Sequence, residues 1–242
     1  MGNMYSRTAL LIGKSGIKKL NNSKVLLFGL GGVGSYTFEA LIRAGIKNIT
    51  VVDNDRYSET NLNRQLYATI STVNKLKTEV AIERAKEINP DISVKTINRF
   101  VLQGNIDDID FSLYDYVVDA IDTVSAKLEI AKKCNEKGIK LISSMGTGNK
   151  LNPTLFKVSD IKQTKVCPLC KVMRKLLKEN EIENLKVVYS EEEPIKINYD
   201  TSDEKKGSNF APSSISFMPS VAGLIIASEV IKDLLKEGIN ND

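Results

Sequence analysis

Four glycines, a few carboxylates and a small set of basic residues are best placed to do chemistry in this chain. Gly29, Gly31, Gly32 and Gly34 directly follow the apolar run Val25-Leu-Leu-Phe28. Positions without side chains let a backbone turn tightly and approach a phosphate, and the helix that follows adds a partial positive charge at its start. A second apolar run, Ile49-Thr-Val-Val52, ends at Asp53, 19 residues after Gly34, with Asp55 close behind. An acid at that distance is where a nucleotide-binding fold holds ribose hydroxyls. Taken alone, the glycines and Asp53 fit an NAD dehydrogenase equally well. The next residues do not, because Asn61-Leu-Asn-Arg64-Gln65 and then Lys77 follow the acid. An arginine and a lysine there neutralise a triphosphate, which a pyrophosphate-bridged dinucleotide does not require.

The chemistry this set suits is adenylation of a carboxylate by ATP. The carboxylate attacks the α-phosphate, and the leaving pyrophosphate must be stabilised. The amides of the glycine loop serve the phosphates; Arg64, Lys77 and a magnesium ion serve the leaving group. Asp122 stands just past an apolar run, Tyr114 to Ala120. Open α/β sheets bind ligands at the carboxyl ends of their strands, so Asp122 is the candidate magnesium ligand. Asp119 either supports it or caps the strand end.

These residues need a frame, and the periodicity supplies one. Short apolar runs are expected as strands at Val25–Phe28, Ile49–Val52, Ile92–Ile97, Tyr114–Ala120, Ile139–Ser144, Phe156–Ser159 and Lys186–Ser190. Helices are expected over Val33–Ala44, Lys75–Ile88, Ser125–Lys137, Lys165–Lys178 and Pro219–Lys236. Residues 1–23 read as a helical arm broken at Gly13 and Gly16, 54–72 as a long polar connection carrying the arginine element, and 191–212 as a mobile loop. Alternating strands and helices predict a Rossmann-like α/β fold: a largely parallel sheet with helices on both faces, in one domain spanning 1–242.

Composition narrows the classes. Hydrophobic content is 42% and net charge +4, ordinary for a globular protein and compatible with a nucleic-acid partner. The chain has no histidine, which excludes histidine metal sites and Ser-His-Asp catalysis. Three cysteines make no disulfide scaffold, so a reducing, cytoplasmic location is expected. No secretory signal is read at the start, and the last apolar run, Val221 to Ala227, is too short to span a bilayer, so no membrane association is expected. Met1-Gly-Asn-Met-Tyr-Ser6 matches the myristoylation pattern, as short windows do by chance.

In order and spacing, Asp53-x-Asp55, Asn61-x-x-Arg64-Gln65, Lys77 and Asp122 resemble the motifs of the ubiquitin-activating-enzyme-like superfamily, which adenylates carboxylates with ATP. The resemblance implies Asp53 as ribose ligand, Arg64 and Lys77 as triphosphate ligands and Asp122 as metal ligand. Tyr5-Ser-Arg7 resembles the segment whose arginine relatives lend across a homodimer to the partner's ATP. Relatives often have glycine where Asn74 stands; asparagine tolerates positive φ better than most residues. In the second half, Val166-Cys-Pro-Leu-Cys-Lys-Val-Met-Arg-Lys175, Val187-Val-Tyr-Ser-Glu-Glu-Glu-Pro194 and Ser214-Ile-Ser-Phe-Met-Pro219 resemble the tRNA threonylcarbamoyladenosine dehydratases, as does Gly13 to Leu20. That likeness implies activation of the threonylcarbamoyl carboxylate next to the anticodon, ring closure with release of AMP, and no enzyme thioester.

The rival reading is an adenylyltransferase for a ubiquitin-like sulfur-carrier protein. Such relatives carry two Cys-x-x-Cys pairs, and here only Cys167-Pro-Leu-Cys170 is present, with Cys134 elsewhere. The single pair reads as half of a zinc site, as a thioester cysteine, or as small core residues. A non-catalytic scaffold would not need the triphosphate set. Lys171, Arg174, Lys175 and Lys178 share one helical face that either meets tRNA phosphates or is simply solvated.

Overall fold

The computed structural model describes residues 4–102, 104–197 and 212–236. The chain runs α1 (Ser6–Asn22), β1 (Lys24–Phe28), α2 (Gly34–Ala44), β2 (Asn48–Val52), α3 (Lys77–Ile88), β3 (Ser93–Ile97), β4 (Tyr116–Asp119), α4 (Val124–Lys137), β5 (Leu141–Ser144), β6 (Phe156–Asp160), α5 (Pro168–Glu179), β7 (Lys186–Ser190) and α6 (Phe217–Lys236). The strands form one seven-stranded sheet in the order β3-β2-β1-β4-β5-β7-β6. All neighbours are parallel except β6, which turns back antiparallel on β7 at the edge.

Why the central runs are continuously apolar is visible in their packing. Val25 and Leu27 of β1 join a core with α1, α2, α3 and α6 residues, including Leu20, Phe38, Ala81 and Ile226. Leu26 and Phe28 point the other way, into a core with Ala126, Ile130 and Cys134 of α4. Both faces are covered, so neither can be polar. The strand order reverses at the β1–β4 junction, which opens a crevice at the carboxyl ends of those strands. The glycine run leaves β1 there, and Asp119-Ala-Ile-Asp122 leaves β4 there.

Most boundaries shift by a residue or two, and three of the differences have a clear local reason. Gly13 kinks α1 at φ 74°, whereas Gly16 does not break it and lies buried inside the helix. The helix expected from Lys75 starts at Lys77, because Asn74 adopts φ 69° and Leu76 makes an extended bridge with Arg56. The helix expected from Lys165 starts at Pro168, because Val166 has φ 63° and Cys167 is extended. The predicted mobile loop 191–212 falls mostly outside the described residues. Its first residues are pinned: the Glu192 carboxylate accepts the Leu151 and Asn152 amides at 2.9 and 2.8 Å.

Candidate nucleotide site

The loop from Gly29 to Gly34 is shaped by what surrounds it. Gly29 sits at φ 90°, and a Cβ there would come within 2.8 Å of the Ala120 carbonyl. A Cβ on Gly34 would lie 1.9 Å from the Gly29 carbonyl oxygen, so the loop folds onto itself only with glycine at that position. No side chain caps α2, which opens at the crevice, and its Ser35 amide turns back to the Gly31 carbonyl at 3.0 Å. The loop is held from outside as well: a Cβ on Gly32 would meet Pro219 of α6 at 3.0 Å.

Asp53 lies at the mouth of the crevice as expected. Its carboxylate accepts the Leu30 amide at 2.7 Å and the Asp55 amide at 2.8 Å. Burial lifts its pKa above the ordinary carboxylate value, against the pull of Lys77 and those two amides. Asp55 and Lys77 pair at 2.7 Å; the lysine side chain is buried while the aspartate is 58% exposed. Arg64 stands beside the loop, its Cγ 3.5 Å from a Cβ built on Gly32. Its guanidinium donates to the Thr60 carbonyl at 2.8 Å and to Asn63 Oδ1 at 2.9 Å. Both acceptors lie in the exposed turn, and the guanidinium is free to exchange them for phosphate.

Gln65 is buried next to Gly31, and its Oε1 has no protein partner among the described residues. The Tyr57 hydroxyl, buried near Asp53, also has none. Two orphaned polar atoms around one crevice suit a polar ligand. Asn61 plays a different part in this state: its Oδ1 accepts the Ser58 amide at 3.1 Å and caps the turn that presents Arg64.

Asp122 is exposed and lines one small cleft with Asp53, Asp55 and Arg99. Among the described residues no three carboxylates or thiols converge on a ready-made metal cage. Asp119 resolves to the capping alternative. It is buried, pairs with Lys127 Nζ at 3.0 Å and accepts the Ile121 amide at 3.2 Å. Lys127 also donates to the Ser144 carbonyl at 2.6 Å. The sequence reading missed Lys127, although a lysine among Ala126, Ile130 and Ala131 on a core-facing helix was the available signal. It missed Ser35 as well, whose hydroxyl donates to Gly31 O at 2.7 Å and accepts the Leu66 amide at 3.2 Å, tying the glycine loop to the arginine element.

Arg7 is not brought to this site. Tyr5, two residues before it, is buried against Gly45 and accepts a hydrogen bond from Asn89 at 3.1 Å, at the ends of α2 and α3 remote from the crevice. α2, 11 residues and so about 16 Å long, lies between the Tyr5 contact at Gly45 and the glycine loop. The basic face of α5 is smaller than expected. Arg174 turns inward and donates to the Thr164 carbonyl at 2.9 Å, leaving Lys171, Lys175 and Lys178 exposed. Cys167 and Cys170 are fully buried with Met173 and Leu177.

A family model described as the ThiF family matches residues 5–242. The chain belongs to the ThiF family. Among ThiF-family relatives, it is 43% identical over 246 residues to a Bacillus subtilis tRNA threonylcarbamoyladenosine dehydratase, covering 98% of this chain and 96% of that protein. It also resembles the crystal structure of the E. coli tRNA N6-threonylcarbamoyladenosine dehydratase TcdA in complex with AMP, at TM-score 0.86 and 30% identity, covering 96% of this chain and 93% of that one. The ATP complex of TcdA matches at TM-score 0.86 and 28% identity, covering 99% and 96%.

Proposed function

We propose that this chain is an ATP-dependent enzyme that adenylates and cyclises the threonylcarbamoyl group of threonylcarbamoyladenosine next to the tRNA anticodon. The observation that carries this reading is Arg64 and Lys77 beside the glycine loop, in a ThiF-family chain similar over nearly its whole length to dehydratases of that name. The amides of Gly31 to Gly34 hold phosphates, and Asp53, already an acceptor of two amides, takes the ribose. Lys77 exchanges Asp55 for phosphate oxygens, and Arg64 exchanges its exposed acceptors likewise. Gln65, buried beside Gly31, contributes a polar group to the same cradle.

Carboxylate oxygens and a phosphate chain are the hard donors magnesium takes, usually through one or two protein carboxylates. Asp122 is the residue that would hold the ion, which would neutralise charge on the leaving pyrophosphate. The substrate carboxylate attacks the α-phosphate and pyrophosphate leaves. The tethered carbamoyl group then attacks the acyl carbon and expels AMP, which carries away the carboxylate oxygen; water is lost overall. Tethering supplies effective molarities of about 10⁵ M or more, so no cysteine relay is required.

The protein acts as a homodimer in which Arg7 serves the partner's ATP. Support comes from its distance from its own site and from Leu10 and Leu11, which are 90% and 86% exposed on the same short arm. Lys171, Lys175 and Lys178 meet tRNA phosphates. The location is cytoplasmic; among the described residues no helix is long and apolar enough to cross a membrane.

The deciding experiment is mass analysis of nucleosides from tRNA incubated with protein, ATP and magnesium. Loss of one water from threonylcarbamoyladenosine is expected. An unchanged nucleoside, with adenylation seen only for a ubiquitin-like carrier protein, would transfer the chain to the rival reading. Mixing Arg7→Ala with Arg64→Ala subunits is expected to restore activity in heterodimers. No restoration in confirmed heterodimers would remove the shared site.

A further inference from the structure

The cysteine pair is a built cluster that adenylation does not use. Cys167 is the last extended residue before α5, Pro168 opens the helix, and Cys170 lies one turn in. Cys167 is 2% exposed and Cys170 0%. Residues three apart on a helix lie about 5–6 Å from each other, within reach of a disulfide after a small rotation of their side chains. The two sulfurs are not equivalent. Cys167 stands at the N-terminus of α5, where the helix favours a negative charge, and its Sγ lies 4.0 Å from a Cβ built on Gly146. Interaction with Cys170 and the field of Lys150 hold the Cys167 thiol below the ordinary thiol range in spite of burial. The same interaction and burial push Cys170 up.

Geometry places Lys150 beside the pair through Gly146. It is 4% exposed, its Nζ donates to the Gly146 carbonyl at 2.9 Å, and a Cβ built on Gly146 would lie 4.0 Å from the Cys167 Sγ. No carboxylate among the described residues pairs with it. A buried ammonium needs an anion nearby. The Cys167 sulfur, beside Gly146, is the group placed to supply it. Two sulfurs and an ammonium are thus buried in one arrangement, with the helix start and the ammonium both on the side of Cys167. Above it, Val166 and Pro168 are exposed, so the thiolate lies one residue beneath the surface.

We infer that Cys167 and Cys170 are a redox-active dithiol that small hydroperoxides convert to an intramolecular disulfide, with Cys167 as the attacking sulfur. The Cys167 thiolate attacks the terminal peroxide oxygen; the O–O bond breaks and, with hydrogen peroxide, the first water leaves. The sulfur, oxidised by two electrons, is now a sulfenic acid. The Cys170 sulfur then attacks the Cys167 sulfur, the S–O bond breaks, and the departing hydroxide takes the Cys170 proton as a second water. Two thiols have lost two electrons and two protons, and one peroxide has become two waters. The product removes the anion beside Lys150, and a dithiol reductant reverses it.

The test treats the whole folded protein with hydrogen peroxide, quenches, and maps Cys-containing peptides by mass. Neither ATP nor tRNA is needed, so the result is independent of the proposed activity. The expected product is a Cys167–Cys170 peptide two hydrogens lighter that dithiothreitol restores. In C170S, dimedone is expected to trap a sulfenic acid at Cys167, roughly tenfold or more above the labelling of buried Cys134. In C167S, Cys170 is expected to stay unlabelled. Thermal melts run in parallel restrict the comparison to folded variants, and C167A and C170A replace any serine variant that fails to fold. Cys167 and Cys170 both remaining thiols in folded wild-type protein, or Cys170 labelling as fast in C167S as Cys167 does in C170S, would overturn the inference. So would stoichiometric zinc in the purified protein that is lost in C167S.

Discussion

Two lysines buried near the ends of β2 and β4, on either side of β1, have opposite tasks. Lys127, under the end of β4, is 1% exposed and so is its partner Asp119. Its further bonds go to Ser143 and the Ser144 carbonyl, so every partner is fixed and interior. Lys77, past the end of β2, is just as deeply buried, but its partner Asp55 is 58% exposed. A pair sealed on both sides can only hold the scaffold. A pair open on one side can exchange its anion for a ligand's. The difference teaches that burial of a charge does not by itself mark a functional site; what decides is whether the partner can be given up. Buried pairs of the first kind contribute little net stability, yet removing one partner leaves the other uncompensated.

The largest effect is therefore expected at the sealed pair. Lys127→Ala should cost about 3–5 kcal/mol in denaturant unfolding, because Asp119 is left charged in the core. A double variant, Lys127→Met with Asp119→Asn, should recover much of that loss, and failure to recover would contradict the sealed-pair reading. On the open side stability should barely move and chemistry should suffer. Arg64→Ala is expected to lower the adenylation rate by about a hundred- to a thousand-fold, as loss of a transition-state charge donor does, read as pyrophosphate release against an unchanged melt. Asp53→Ala should weaken ATP binding by about 1.5–3 kcal/mol by calorimetry, the worth of hydrogen bonds to a charged group.

The smallest effect is one of pH. The folded pKa of Asp53 is raised from 3.8, chiefly by burial. The folded state therefore holds that proton more tightly than the unfolded state does. Its contribution to stability is largest below the unfolded value, falls as pH rises toward the folded one, and is level beyond. Subtracting the pH–stability curve of Asp53→Ala from that of wild type should show this decline. A rise over the same interval would mean that the Leu30 and Asp55 amides outweigh burial.

The nucleotide half was legible in sequence because its chemistry lives in residue types that are costly anywhere else. Close-set glycines, an acid after an apolar strand and an arginine in a polar connection each have a backbone or charge reason to be where they are. The continuous apolar runs predicted a sheet covered on both faces, and the sheet has both cores. What stayed hidden depended on contacts between distant segments. The capping role of Asp119 needed Lys127, eight residues on and a helix turn inside the core. Arg174 looked like part of a basic face by spacing, but its direction was set by the Thr164 carbonyl. The antiparallel return of β6 could not be read from an apolar run, since such runs carry no direction. Helix starts at Lys77 and Pro168 were missed because Asn74 and Val166 take positive φ, a choice made by the turn around them.

The contact between α6 and the glycine loop bears on how the protein is made. α6 follows every strand in the chain, yet Pro219 abuts Gly32, Gly223 lies against the Val33 carbonyl, and Thr37 donates to the Gly223 carbonyl at 3.0 Å. During synthesis the loop emerges from the ribosome long before the helix that braces it. Until α6 arrives, the face of the sheet that it shares with α1, α2 and α3 is only partly covered, and the glycine loop lacks its outer wall. On the proposed function, nucleotide capture is thus a late event in the life of the nascent chain, because it waits until α6 has been translated and docked.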